Sequence, residues 1–185
     1  MKAIQKQDPQ IHEAMIAELE RQIQLLDKAH HHLELADIRF QQGKFKLAEE
    51  AYRRALEREP QDVDVRAHYG QCLLRLNRAA EAKPLLEGVC AENPKHDYGH
   101  SLMALAEARA ALGDPSGAIT ALEKVIGEHS YARARVQLAE LLATNGQPDR
   151  ARELAKEVVA EDRVAPDYQR RQERLWVARA KKLAG

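Results

Sequence analysis

The chain has 185 residues, of which 44% are apolar, and its 29 basic residues equal its 29 acidic residues in number. This length suits one ordinary domain or a short repeat array, and the balanced charge gives no overall argument for binding nucleic acid or an anionic membrane. Good helix formers dominate, only 4% of the residues are aromatic, and no alternating strand pattern occurs, so the sequence predicts an all-α fold.

No apolar run reaches the roughly 18 residues that a membrane-spanning helix needs, and the polar start of the chain does not resemble a signal peptide. We therefore expect no membrane span in this chain and a cytoplasmic location. The alternative is the soluble domain of a membrane-anchored protein, because a chain that begins after a removed leader or anchor has the same appearance.

The first predicted element is a helix within residues 1–28, which Asp8 and Pro9 open. Its apolar residues keep a helical period and are Ile11, Met15, Ile16, Leu19, Ile23 and Leu26. We expect this helix to cap the elements that follow.

The middle of the chain repeats one pattern four times. A small or turn-forming residue recurs at spacings of 34, 36 and 33 residues, at Gly43, Asn77, Gly113 and Gly146. Such residues tolerate a positive φ where one helix ends and the chain reverses. Five residues after each of them lies an alanine, namely Ala48, Ala82, Ala118 and Ala151. This spacing predicts four helical hairpins, with the alanine at each close helix crossing.

The first helix of each hairpin also carries a repeated pair, a large residue followed by a small one. The pairs are Leu35-Ala36, Tyr69-Gly70, Leu105-Ala106 and Leu138-Ala139, and Pro60 and Pro94 end the first two copies. The whole pattern resembles the tetratricopeptide repeat. This resemblance implies a right-handed superhelical solenoid of antiparallel helix hairpins, with an extra N-terminal helix and a C-terminal capping helix.

The resemblance covers residues 29 to about 163. It implies repeats at about 29–62, 63–96, 97–131 and 132–163, followed by a capping helix in 164–185. Pro84 and Gly88 lie inside the second helix of repeat two, so we expect that helix to start late or to kink. The segment from Pro166 to Trp176 also resembles the end of a group of bacterial tetratricopeptide proteins that carry an N-terminal membrane anchor.

No residue pattern points to catalysis, a metal or a cofactor. His30, His31 and His32 are consecutive, so on a helix they cannot converge on one ion, and we expect them to form an exposed helix start. Cys72 and Cys90 lie in helical patterns and are expected to be free thiols. There is no phosphate loop and no nucleophile motif, so we expect that the protein is not an enzyme.

In the family that this sequence resembles, the first helices of the hairpins line a concave groove. The resemblance therefore implies a partner-binding groove formed by Leu33, Asp37, Phe40, Ala67, Gln71, Leu74, Met103, Glu107, Val136 and Glu140. One row in this set is polar and acidic (Asp37, Gln71, Glu107, Glu140), and another is apolar (Leu33, Ala67, Met103, Val136). The acidic row favours a cationic or amide-rich ligand, and the apolar row would supply affinity.

We therefore expect a non-catalytic adaptor or scaffold, a monomer or weak dimer, that binds a peptide or helix of another protein. One alternative is an assembly subunit that acts through homo-oligomerisation. Another is binding of nucleic acid or an anionic surface through the basic C-terminal helix, although we expect no nucleic-acid partner. That helix also contains Trp176, which we expect to pack on the fourth repeat.

Overall fold

The computed structural model describes residues 9–185, so Asp8 lies outside the described residues. This part of the chain forms ten α-helices and one short 3-10 helix, and it contains no strand. The all-α prediction is therefore confirmed. The helices are α1 Pro9–Leu25, α2 Ala29–Gln41, α3 Phe45–Arg58, α4 Val63–Arg75, α5 Ala79–Glu92, α6 His100–Ala111, α7 Pro115–Glu128, α8 Ala132–Thr144, α9 Pro148–Val164 and α10 Asp167–Ala184, and the 3-10 helix is His96–Gly99.

The helices form two compact units, of which unit 1 ends at Asp97 and unit 2 is Tyr98–Gly185. In unit 1, α2 pairs with α3 and α4 pairs with α5, and α1 packs on α2. In unit 2, α6 pairs with α7 and α8 pairs with α9, and α10 packs on both α8 and α9. Among residues 9–185, no helix combines the length and the apolar character that crossing a bilayer requires.

The four predicted turns are present. Gly43, Gly113 and Gly146 have φ angles of 73°, 77° and 76°, and Asn77 has a φ of 60°. A side chain with a Cβ branch would be strained in this left-handed region, which is why glycine or asparagine occurs at each reversal.

The predicted close crossings are present as well. Ala48, Ala82, Ala118 and Ala151 are all buried. In α4, a Cβ added to Gly70 would lie 2.8 Å from Cγ of the buried Leu86 in α5, so only glycine allows these two helices to approach this closely.

Helix α5 corrects one prediction. It begins at Ala79, with Pro84 inside it, so of the two expected outcomes, a late start or a kink, the late start is wrong. Proline removes the hydrogen bond that residue 84 would donate to the carbonyl group of Ala80. Ala80 is exposed, so water can satisfy this carbonyl group and the helix continues.

Each unit has its own core. The core of unit 1 includes Leu19 from α1 together with Leu35, Ala36, Ile38, Ala48, Ala51, Tyr52 and Cys72. In unit 2 one cluster lies between α6, α7, α8 and α9, and a second joins α8 and α9 to Val177 and Ala180 of α10. Cys72 and Cys90 are free thiols, as predicted.

Candidate functional site

A cavity of about 500 Å³ in unit 1 brings together three of the predicted groove residues, Asp37, Phe40 and Gln71. They come from α2 and α4, the first helices of two successive hairpins. The cavity is also lined by Gln41, Gly43, Phe45, Tyr52, His68, Arg75 and Asp97. It therefore combines an aromatic wall with an edge of charged and amide groups.

Asp37 is the centre of a hydrogen-bond network in this cavity. Its Oδ1 accepts a hydrogen bond of 2.6 Å from the hydroxyl group of Tyr52 and lies 2.9 Å from Nδ1 of His68. Burial raises the pKa of Tyr52, and the carboxylate of Asp37 raises it further, so this residue stays a donor. Burial alone would lower the pKa of His68. The hydrogen bond to Asp37 and the charge of its carboxylate outweigh the effect of burial, so the pKa of His68 is raised.

We expect Tyr52→Phe to lower the free energy of unfolding by about 1.5 kcal/mol, the low end of the range for a hydrogen bond to a charged group. The loss of stability should be at the low end because Asp37 keeps its contact with His68, and because the side chain of Asp37 is one-third exposed to water. Chemical denaturation measures the change. Tyr168→Phe is the matched control, because Tyr168 is exposed, and it should be neutral. Equal stability of both variants would contradict the network.

Gln71, which lines this cavity, has a side-chain amide nitrogen without a hydrogen-bond acceptor among the described residues. This nitrogen, Nε2, is buried. The rings of Phe40 and Phe45, which also line the cavity, pack edge to face with their centroids 5.3 Å apart. A buried amide nitrogen without an acceptor is costly, so a ligand that offers a carbonyl or carboxylate oxygen would remove that cost.

Unit 2 has a smaller cavity, of about 320 Å³, that contains the other two acidic-row residues, Glu107 and Glu140. Glu107 accepts a hydrogen bond of 3.1 Å from Arg133. Oε1 of Gln137, which lines the same cavity, is buried without a partner in the part of the chain that the structure describes. The lining also includes Ala106, Ala110, Leu122, Leu141 and Thr144.

Arg179 of α10 also lines this cavity, although it was not among the predicted groove residues. Its guanidinium group binds both carboxylate oxygens of Glu140, at 2.8 and 2.5 Å, and lies 4.6 Å from the ring centroid of Trp176. A signal was present, because Arg179 lies three residues after Trp176 and so shares its face of the helix. Trp176 packs on the buried cluster of α8 and α9, as predicted.

The predicted apolar row is mostly buried in this structure, and its role in binding stays a prediction. Ala67, Met103 and Val136 are buried, and of the row only Leu33 is partly exposed. Val136 packs against α9 and α10, and Met103 belongs to the core between α6 and α8. Helices α4 and α8 pack against helices on two sides, so Ala67 and Val136 each face another helix. Leu74, like Leu33, is partly buried and does not line the unit 1 cavity.

The three consecutive histidines also differ from expectation, because His32 is buried. Its Nε2 lies 2.5 Å from Oδ1 of Asp27. Hydrogen bonds from Arg58 and then from His32 lower the pKa of Asp27 to about 2. Within residues 9–185, no group of three or more His, Cys, Asp or Glu side chains has the arrangement of a metal site.

Comparison with known proteins agrees with this architecture. The fold is similar to that of MamA 41-end from Desulfovibrio magneticus RS-1, with a TM-score of 0.78 and 16% identity over 84% of this chain and 88% of that chain. YrrB, whose structure is described as that of a TPR protein with an unusual peptide-binding site, has a TM-score of 0.74 and 17% identity over 94% of this chain and 84% of that chain.

PilW, described as a widely conserved type IV pilus biogenesis factor, has a TM-score of 0.75 and 20% identity over 94% of this chain and 83% of that chain. Among curated proteins, no relative matches the sequence. The family model of the tetratricopeptide repeat matches residues 39–106 and 109–175, which together make up more than half of the chain. The chain therefore belongs to the tetratricopeptide repeat family.

Proposed function

We propose that this protein is a non-catalytic scaffold, a monomer or weak dimer in the cytoplasm, that binds a peptide or helical segment of another protein at the two cavities. One observation carries the proposal: in each unit the predicted groove residues line a cavity together with a glutamine that has a buried amide atom without a partner among the described residues. These atoms are Nε2 of Gln71 in unit 1 and Oε1 of Gln137 in unit 2. Both are hydrogen-bonding groups that a ligand would satisfy.

The unit 2 cavity favours a ligand side chain that donates N–H groups. Oε1 of Gln137 and the carboxylates of Glu107 and Glu140 are all acceptors. Arg133 and Arg179 offset the charge of the two carboxylates, so the cavity suits an amide group as well as a cation. A volume of about 320 Å³ limits it to roughly one side chain of the partner.

The unit 1 cavity favours a different chemical group. Nε2 of Gln71 is a donor, so it suits a backbone carbonyl group or the oxygen of an amide side chain. The rings of Phe40 and Phe45 give this cavity an apolar wall that the buried apolar row does not provide. A segment rich in amide side chains would therefore suit either cavity.

The proposal is tested by comparing the proteins that three forms of the chain retain from a lysate, identified by mass spectrometry. The forms are the native chain, a cavity variant with Glu107→Gln and Glu140→Gln, and a control variant with Glu153→Gln and Glu157→Gln on the exposed side of α9. We expect at least one protein to be retained by the native and control forms and to bind the cavity variant about tenfold more weakly, or roughly 1.4 kcal/mol.

Glutamine is preferred to lysine here, because a lysine at either position would face Arg133 or Arg179 and disturb the fold itself. Calorimetric titration of the retained protein measures the affinity, and thermal melts show whether both variants remain folded. Equal affinities for the cavity and control variants would contradict the proposal.

A further inference from the structure

Helix α10 has an outer face that the packing of unit 2 does not use. Val177 and Ala180 point into the core, whereas the side chains on the opposite side of the helix are exposed. At 3.6 residues per turn, these outer positions lie within an arc of about 80° and extend over about 21 Å. The outer face consists of Tyr168, Arg171, Leu175, Ala178 and Lys182.

This face is strongly cationic. Arg171 and Lys182 lie on it, and Arg174 and Lys181 lie on the flank of the helix toward Asp162 of α9. None of these four side chains forms an ion pair with another residue in 9–185. In contrast, Arg170 pairs with Asp167 and Arg179 pairs with Glu140. Unpaired cations on one side of a helix create a local positive field even though the whole chain is neutral.

A shallow depression of about 490 Å³ lies beside this face. Four cationic side chains and two carboxylates line it, together with Val177 and Ala178. The charged residues are Arg170, Arg171, Arg174, Lys181, Asp162 and Asp167. Because Arg170 already binds Asp167, the excess positive charge is available to an anionic group from outside.

Two large apolar side chains on the same face favour the phosphates of a lipid bilayer over those of a nucleic acid. Tyr168 is 67% exposed and Leu175 is 64% exposed. An exposed leucine gains little from the phosphates of a nucleic acid, whereas at a bilayer surface it leaves water by entering the headgroup and acyl boundary. Tyrosine is suited to the same depth, because its ring is apolar and its hydroxyl group is polar.

We propose that the outer face of α10 docks on an anionic lipid bilayer, with Arg171, Arg174, Lys181 and Lys182 contacting lipid phosphates while Leu175 and Tyr168 enter the headgroup layer. The protein then binds the membrane peripherally. This surface shares no residue with the lining of the unit 2 cavity, to which α10 contributes Arg179. Binding to lipid and binding to a protein partner are therefore independent properties.

The test is co-sedimentation of the full chain with vesicles made of equal parts phosphatidylglycerol and phosphatidylcholine, and with vesicles of phosphatidylcholine alone. We expect binding to the anionic vesicles only, and this binding should weaken as salt is added. A variant with Arg171→Gln, Arg174→Gln and Lys181→Gln should bind the anionic vesicles at least roughly tenfold more weakly. Leu175→Ser should also weaken binding, without any change of charge.

The matched control is a variant with Lys46→Gln, Lys124→Gln and Lys156→Gln, which loses the same charge at exposed positions outside α10. It should bind the vesicles like the native chain, and an equal loss would overturn the proposal. Absence of vesicle binding by the native chain would overturn it as well.

Fluorescence anisotropy with a labelled single-stranded RNA is the competing measurement. RNA binding that depends on the three cations but not on Leu175 would assign the face to nucleic acid instead. If the triple variant proves less stable in thermal melts, Leu175→Ser and the salt dependence of the native chain decide the outcome. Failure of the vesicle experiment leaves the cavity proposal standing, because retention of a protein partner is measured separately.

Discussion

Deletion of residues 166–185 is expected to lower the free energy of unfolding of unit 2 by about 3–6 kcal/mol, which corresponds to two apolar side chains of valine size returning to water. Helix α10 buries Val177 and Ala180 against α8 and α9, and Trp176 and Leu183 are partly buried there. Its removal exposes Val136 and Val158, which are buried in the intact chain. Thermal and chemical denaturation measure the loss, and light scattering detects the aggregation that we expect of an uncapped repeat array.

A single substitution separates the apolar contribution of α10 from its ionic one. Arg179→Met removes the bond to Glu140 but keeps the helix and its buried residues. Because this ion pair is partly exposed, its loss should cost about 1 kcal/mol or less. If the truncated chain were as stable and as monomeric as the full chain, α10 would not be a cap.

Ala118→Phe is expected to lower the free energy of unfolding by about 1–3 kcal/mol, because the larger side chain overpacks the core. Ala118 lies in α7 with 0% of its surface exposed, and it belongs to the cluster that contains Leu122 and Leu138. A phenyl ring at this position has no space unless α6 and α7 move apart. Chemical denaturation compares the variant with the native chain.

Ala160→Phe is the matched control, because Ala160 is an exposed alanine in α9 of the same unit. It should change stability little, since the ring remains in solvent. An unchanged melting temperature for Ala118→Phe would contradict the repeat register, which assigns this residue to a close helix crossing.

The sequence by itself determined the hairpins. Gly43, Asn77 and the other turn residues mark the reversals because a positive φ is a local backbone requirement. The alanines five residues later mark the crossings because their small size is the property that the packing needs. Both signals come from one residue and its near neighbours, so they can be read without knowledge of distant parts of the chain.

The charge balance of the candidate site was decided by the tertiary structure. The sequence predicted an acidic row, but Glu140 is bound by Arg179, which lies 39 residues away, and Asp37 is bound by His68, which lies 31 residues away. Pairing over such distances depends on which helices become neighbours. Helical periodicity places a side chain on a face of its helix but does not identify what the face meets.

Burial of the apolar row depended on the tertiary structure for the same reason. Ala67, Met103 and Val136 lie on the first helices of their hairpins, as the repeat pattern indicated. Their exposure was set by the neighbouring helices, which cover them completely, while Phe40 remains at a cavity. The local pattern therefore determined where the helices begin, end and cross, and the packing of whole helices against one another determined which side chains remain accessible to a partner.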